Sequence, residues 1–308
     1  MQHLHEALEE FYLEQAVRGN TRATLRDYRQ KLGVFCEYLG RDIPLGDLTV
    51  SLCKRYYLYL VNEKNISSIT VQAYIRNLRA FLNWLYMEDY IKTDICHRFR
   101  LPKANRPHID ILTDNEVDRL YSVWNPPTKW IHYRNLVIVS LMLDCGLRLD
   151  EVATAEWGRL HIHERYIIVD GKGGKQRAVP FGNQTRDFLL LYDSMTPKIK
   201  RLLISGSRDG SASMPPKPIG QETIKNLFRV AKRKSGIDRL HPHLLRHTFA
   251  TRYLENGGNI YALQMILGHT TLTMVMKYLH LASRKVREDF INYSPLDRYQ
   301  DEKEKAAD

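Results

Sequence analysis

Residues 241–250 read HPHLLRHTFA. Three histidines and an arginine accompany the start of an apolar run, and His243 and Arg246 stand three positions apart. Residues at i and i+3 of a helix lie on one face. A helix here therefore aims a proton-transfer group and a permanent cation at the same spot, an arrangement suited to handling a phosphate.

The flanking segments decide what surrounds that spot. On the N-terminal side, residues 160–181 switch to short runs rich in β-branched residues, YIIVD (166–170) and RAVPF (177–181), separated by GKGGK (171–175). Glycine pairs beside such runs signal a hairpin. Upstream again, YRNLVIVSLMLDCGLRLDEVATAEW (133–157) reads as a strongly apolar helix that breaks at Gly146 and resumes near Asp150, with Arg148 in the break. LTDNEVDRLYSVW (112–124) opens with Thr113 and Glu116 in capping-box spacing, which starts a helix. On the C-terminal side, helices return from Gln221 and are interrupted at residues 235–243, at Gly257 and Gly258, and at Gly268.

The first hundred residues read as helices. In residues 24–40, Leu25, Tyr28, Leu32, Phe35 and Leu39 step by three and four, and Gly40 stops the helix. In residues 67–86 the stripe is Val71, Tyr74, Ile75, Leu78, Leu82 and Leu85, with Ser67 or Ser68 as the cap. Arg22, Arg26 and Arg29 share one side of the earlier helix; Gln72, Arg76, Arg79 and Asn83 share one side of the later one. Such faces suit phosphates and base edges, and equally the solvated face of any amphipathic helix. The stretch HRFRLPKANRPHID (97–110) carries Pro102 and Pro107, is basic and lacks apolar periodicity, so it reads as a linker that follows a polyanion.

Composition agrees with an anionic partner. The chain has 308 residues, room for two domains, and a formal net charge of +11. Cys36, Cys53, Cys96 and Cys145 are widely spaced with no C-x-x-C pair, which suggests reduced thiols, not a disulfide framework or metal site. His241, His243 and His247 lack companion ligands at zinc spacing. The polar, acidic start MQHLHEALEEFYLEQ does not read as a signal peptide, and no window approaches the apolar length of a membrane span. These features lead to the expectation of a cytoplasmic, nucleoid-associated protein. GKGGK lacks the spacing of a phosphate-binding P-loop and sits between strands.

Four short segments occur in order: CGLRLDE with Arg148, GKGGKQR with Lys172, HPHLLRH with His243 and Arg246, and LGHTTLTMVMKYLH with His269 and Tyr278. In this order they resemble the signature of the tyrosine recombinases, the phage-type integrase family, and the layout is similar to the Xer-like members. The resemblance implies a mainly α fold (α+β) with a small three-stranded antiparallel sheet. It further implies a helical SAM-like core-binding domain over residues 1–96, a basic linker over 97–108, a catalytic domain over 109–293 and a C-terminal tail over 294–308. The early position of Arg148 leaves no room for an additional arm-binding domain, and the distance from Lys172 to His243 excludes a large insertion.

The implied chemistry is transesterification at a DNA phosphodiester. It requires a nucleophile, a proton donor for the leaving 5′ oxygen, and cations for charge building on the nonbridging oxygens. By resemblance, Tyr278 is the nucleophile and forms a 3′-phosphotyrosyl link, so rejoining needs no metal, ATP or other cofactor. Arg148 and Arg246 clamp the phosphate, Lys172 protonates the leaving oxygen, His243 assists proton transfer at Tyr278, and His269 hydrogen-bonds the phosphate. Glu151, one turn from Arg148, either orients it or forms a surface ion pair. Lys175 and Arg177 join Arg22, Arg26, Arg29, Arg76 and Arg79 as contacts to the DNA backbone. The implied partner is double-stranded DNA with paired inverted sites, bound by a homotetramer, with or without a second recombinase or an activator.

Within this reading, resolution of replicon dimers competes with movement of a mobile element. A DNA-binding regulator with an unused active site is the alternative from another class, and completeness of the six-residue set argues against it. A relaxing topoisomerase fits the helical N-terminal half less well. The apolar patch at residues 290–299 is expected to dock on a neighbouring protomer.

Overall fold

The computed structural model describes residues 3–99, 110–171, 174–206, 216–269, 271–272, 275–276 and 278. The chain divides into two compact units, Met1–Pro107 and His108–Asp308. The expected docking segment at 290–299 and the tail lie outside the described residues, as does most of the basic linker.

The first unit is helical, with α1 (Leu4–Val17), α2 (Arg22–Leu39), α3 (Val50–Asn62), α4 (Ser68–Met87) and the short α5 (Ile95–Arg98). The ends of α2 and α4 follow local chemistry. Thr21 and Ser67 accept bonds from the backbone N–H groups of Thr24 and Thr70, and Gly40 closes α2 in the left-handed region at φ 67°. Each cap satisfies a backbone group that would otherwise be orphaned at a helix end. The inward stripes meet in one core containing Phe11, Leu32, Phe35, Tyr56, Ile75, Leu78 and Phe81. Phe11 lies edge-on to Tyr28, Phe81 and Trp84 at 5.1, 5.4 and 5.6 Å. A polar tie joins α2 to α4: buried Asn77 donates to the Asp27 carboxylate at 2.9 Å.

The second unit begins with α6 (Asp114–Ser122), α7 (Trp130–Leu143) and α8 (Leu149–Thr154). Thr113 and Glu116 form the expected capping box on α6. From Arg134 to Met142 every residue of α7 is buried, as expected of a helix without a polar face. Strands β1 (Leu160–His161), β2 (Tyr166–Asp170) and β3 (Gln176–Pro180) form an antiparallel sheet in that order. Tyr166 pairs with Pro180 and Asp170 with Gln176, so the hairpin tip spans residues 171–175. Ile167, Val169 and Val179 point into the core with α7.

Helices α9 (Asn183–Met195), α10 (Gln221–Ser235), α11 (Pro242–Glu255) and α12 (Ile260–Leu267) complete the described elements. Ala250 and Leu254 of α11 pack with Leu263 and Leu267 of α12, and with Val275 and Tyr278, in a small separate cluster. The cysteines are free thiols; Cys53, Cys96 and Cys145 are buried and Cys36 is half-buried. Among the described residues, no helix is long and apolar enough to cross a membrane.

Candidate active site

The turn between α7 and α8 sets the first part of the site. Gly146 takes φ +63°, and a Cβ there would lie 2.4 Å from the Phe249 ring and 2.9 Å from the Leu267 side chain. Only glycine permits both the left-handed backbone and this approach. The turn places Arg148 at the cap of α8, where its backbone N–H donates to Glu151 Oε2 at 2.8 Å and its guanidinium to Oε1 at 3.0 Å.

Glu151 is the hub of the arginine network. Its side chain is only 5% exposed and accepts two further bonds from Arg177, both at 2.9 Å. Burial alone would raise its pKa, but the bonds from Arg177 and the Arg148 backbone, with the charges of both arginines, hold the carboxyl below its ordinary range. The surface ion pair considered for Glu151 is therefore not found; the carboxylate is an interior group that orients Arg148.

Arg177 differs from its expected role as a DNA contact. Its side chain is 11% exposed, and Nε donates to the Ile266 carbonyl at 2.7 Å while both other nitrogens bind Glu151. The reason is strand alternation: Arg177 shares a face of β3 with buried Val179. Gly268, at φ +63°, sits against the same guanidinium, which a Cβ would approach to 3.0 Å.

Arg246, on α11, is buried at 4% exposure. Its guanidinium donates to the carbonyls of Gly146 and, at 2.7 Å, Leu267, and it lies 3.1 Å from His269 Nε2. Since guanidinium only donates, that histidine nitrogen accepts. Burial lowers the Arg246 pKa to about 10, assisted by the charges of Arg148 and Arg177 and opposed by Glu151 and Tyr278. It remains a cation at neutral pH.

Tyr278 is 1% exposed, and its hydroxyl is 2.8 Å from His247 Nδ1. Burial raises its pKa, countered by the positive charges of Arg246 and Arg148. Arg148, Arg246, His269 and Tyr278 thus gather in one place. His243 stands in the exposed first turn of α11, one turn from His247. Lys172, which falls between β2 and β3 in the sequence, lies outside the described residues. Sequence reasoning gave His247 no role, although its spacing of four from His243 puts the two on one face.

Of the residues assigned to DNA contacts, Arg22, Arg26, Arg29, Arg76 and Lys175 are exposed and Arg79 is half-buried. Arg29 stacks over the Tyr12 ring at 5.0 Å. Gln72, Arg76, Arg79 and Asn83 of α4 line one groove of about 710 Å³ with Cys96 of α5 on the first unit.

Residues 110–285 match the phage integrase family, and residues 3–101 match the phage integrase SAM-like domain. The chain belongs to the phage integrase family. It is 28% identical to tyrosine recombinase XerD of Oceanobacillus iheyensis, covering 95% of this chain and 99% of that one. It is also 28% identical to tyrosine recombinase XerC of Bacillus pumilus, over 91% and 93% of the two chains. A lambda integrase dimer bound to a COC′ core site shares the fold at TM-score 0.72 and 21% identity, over 90% of this chain and 95% of that one.

Proposed function

We propose that the protein is a site-specific tyrosine recombinase that cuts and rejoins DNA strands through a 3′-phosphotyrosyl intermediate. The observation that carries this reading is a buried tyrosine whose hydroxyl lies 2.8 Å from His247, the residue that follows Arg246 on α11. Around Arg246 the flanking charges are two arginines and one carboxylate, so the pocket holds excess positive charge that a phosphate would neutralise. Forked guanidinium donors match its nonbridging oxygens.

In this reading Tyr278 attacks phosphorus, Arg148 and Arg246 stabilise the charge that develops, and His269 hydrogen-bonds the phosphate. Lys172 protonates the leaving 5′ oxygen, and His243 assists proton transfer at Tyr278. The domain roles are residues 1–96 for core-site binding, 97–108 as a basic linker, 109–293 for catalysis and 294–308 as a tail. Exposed Arg22, Arg26, Arg29, Arg76 and Lys175, with half-buried Arg79, face the duplex backbone; Arg177 serves instead to hold Glu151. Exchange between two duplexes breaks four strands, one tyrosine for each, which calls for four protomers on paired inverted sites in a nucleoid setting.

The test is recombination itself. A plasmid carrying two copies of the DNA flanking the gene, incubated with the protein, should yield resolved circles with wild type and none with Arg246→Ala. Equal yields from both would refute the assignment of the site.

A further inference from the structure

All three guanidinium nitrogens of Arg177 donate to groups that build the site, two to Glu151 and one to the Ile266 carbonyl. We infer that Arg177 is a positioning residue for strand cleavage, one that fixes Arg148 and Arg246, the two arginines of the phosphate clamp, relative to one another. The inference rests on the recombinase reading above.

The bonds form a closed circuit. Glu151 Oε1, which accepts from Arg177 Nη1 at 2.9 Å, also accepts from the Arg148 guanidinium at 3.0 Å. On its other side, Arg177 Nε donates at 2.7 Å to Ile266, near the C-terminal end of α12. The next carbonyl, that of Leu267, accepts from Arg246 at 2.7 Å. Arg246 also donates to the carbonyl of Gly146, two residues before Arg148. Between the two arginines of the clamp, one path therefore runs through Arg177 and the other through the Gly146 turn.

The chemistry of this position asks for arginine. A planar fork can meet a carboxylate with two nitrogens and a carbonyl with the third, whereas an ammonium is a point charge. Gly268 makes room for that fork, since a Cβ there would lie 3.0 Å from Arg177 Nη1. The residue after Gly268 is His269, whose Nε2 lies 3.1 Å from Arg246. With Glu151 5% exposed and Arg177 11% exposed, water has little access to replace a lost bond. Removing Arg177 therefore frees the α8 end and the α12 end of the circuit together, and a shift of about 1 Å at a reacting group costs about 10²-fold in rate.

The experiment is single-turnover cleavage of a nicked duplex carrying the flanking site, with duplex affinity and melting temperature measured on the same preparations. Arg177→Met should bind the duplex within about threefold of wild type and cut it about 10²-fold more slowly. A second variant combines Glu151→Gln with Arg177→Met. It neutralises both members of the buried pair, so it should melt closer to wild type than Glu151→Gln alone, which strands the Arg177 charge. It should nevertheless cut more slowly than Glu151→Gln, because the bond to Ile266 is lost as well. A role in stability alone predicts the opposite order of rates.

A duplex with a methylphosphonate at the scissile position carries no negative charge there and asks less of the clamp. On it the deficit of Arg177→Met should shrink to about tenfold, a change that a lower folded fraction cannot produce, since that scales both substrates alike. A duplex whose bridging 5′ oxygen is replaced by sulfur needs no acid for its leaving group and should leave the deficit as it was. Cleavage by the double variant at or above the Glu151→Gln rate, an undiminished deficit on methylphosphonate, or rescue by sulfur would each overturn the role of Arg177 while leaving the recombinase reading standing. Failure of wild type to cut any flanking duplex would overturn both.

Discussion

Glu151 and Arg177 meet through both carboxylate oxygens and two guanidinium nitrogens, each at 2.9 Å, in the interior of the second unit. The same carboxylate also holds Arg148. An ion pair removed from water is costly to break from one side, about 3–5 kcal/mol, because the surviving charge is left without a partner.

Glu151→Gln should accordingly lower stability and misplace Arg148. Cleavage should fall by about 10²-fold, the cost of a misaligned clamp, with duplex affinity changing far less. Cleavage rate and duplex binding, measured on the same preparation with its melting curve, check this split.

Gly146→Ala should be worse than its size suggests. The substitution forces a Cβ into the Phe249 ring and Leu267 side chain while demanding φ +63° of an alanine. Relief moves the carbonyl that receives Arg246 and the turn that carries Arg148. Loss of about 2 kcal/mol or more in denaturant unfolding, with cleavage abolished, is expected.

The pair of Glu116 and Arg239 predicts acid sensitivity. The hydrogen bond from Arg239 comes first among the causes that bring the Glu116 pKa down to about 2. The sign follows from linkage: a carboxyl with a depressed native pKa stabilises the fold above its unfolded value, near 4.5, and loses that contribution as pH falls toward 2. Glu116→Gln should therefore melt below wild type at neutral pH, and the gap should close between about pH 5 and pH 2.

Exposed Arg76, in the α4 groove, offers a direct probe of the proposed duplex contact. Arg76→Ala should weaken binding about equally across DNA sequences and reduce the salt slope of the affinity by about one. A slope identical to wild type removes Arg76 from the phosphate contacts.

Local rules made much of the fold legible. Thr113 with Glu116, Ser67 before α4 and Gly40 after α2 act within a few residues, so their meaning is contained in the spacing. The β2–β3 hairpin is equally local. The site was legible only as far as residue type allowed. An arginine on a strand reads the same whether it faces a duplex or a buried carboxylate, and only the alternation with Val179 separates the two for Arg177. His247 meets Tyr278 across 31 positions, through the packing of α11 with the following residues, which no spacing rule encodes. Glu151 was seen beside Arg148, but its burial depends on β3, brought in from 26 positions away.

The central claim is that Tyr278 becomes covalently joined to DNA. Wild type and Tyr278→Phe should each be incubated with nicked duplexes tiled from the flanking DNA, resolved on a denaturing gel, and any adduct mapped by mass spectrometry. The account predicts an adduct with wild type alone, carried on Tyr278 through a 3′ phosphate. An adduct retained by Tyr278→Phe, or mapped to another residue, would contradict it.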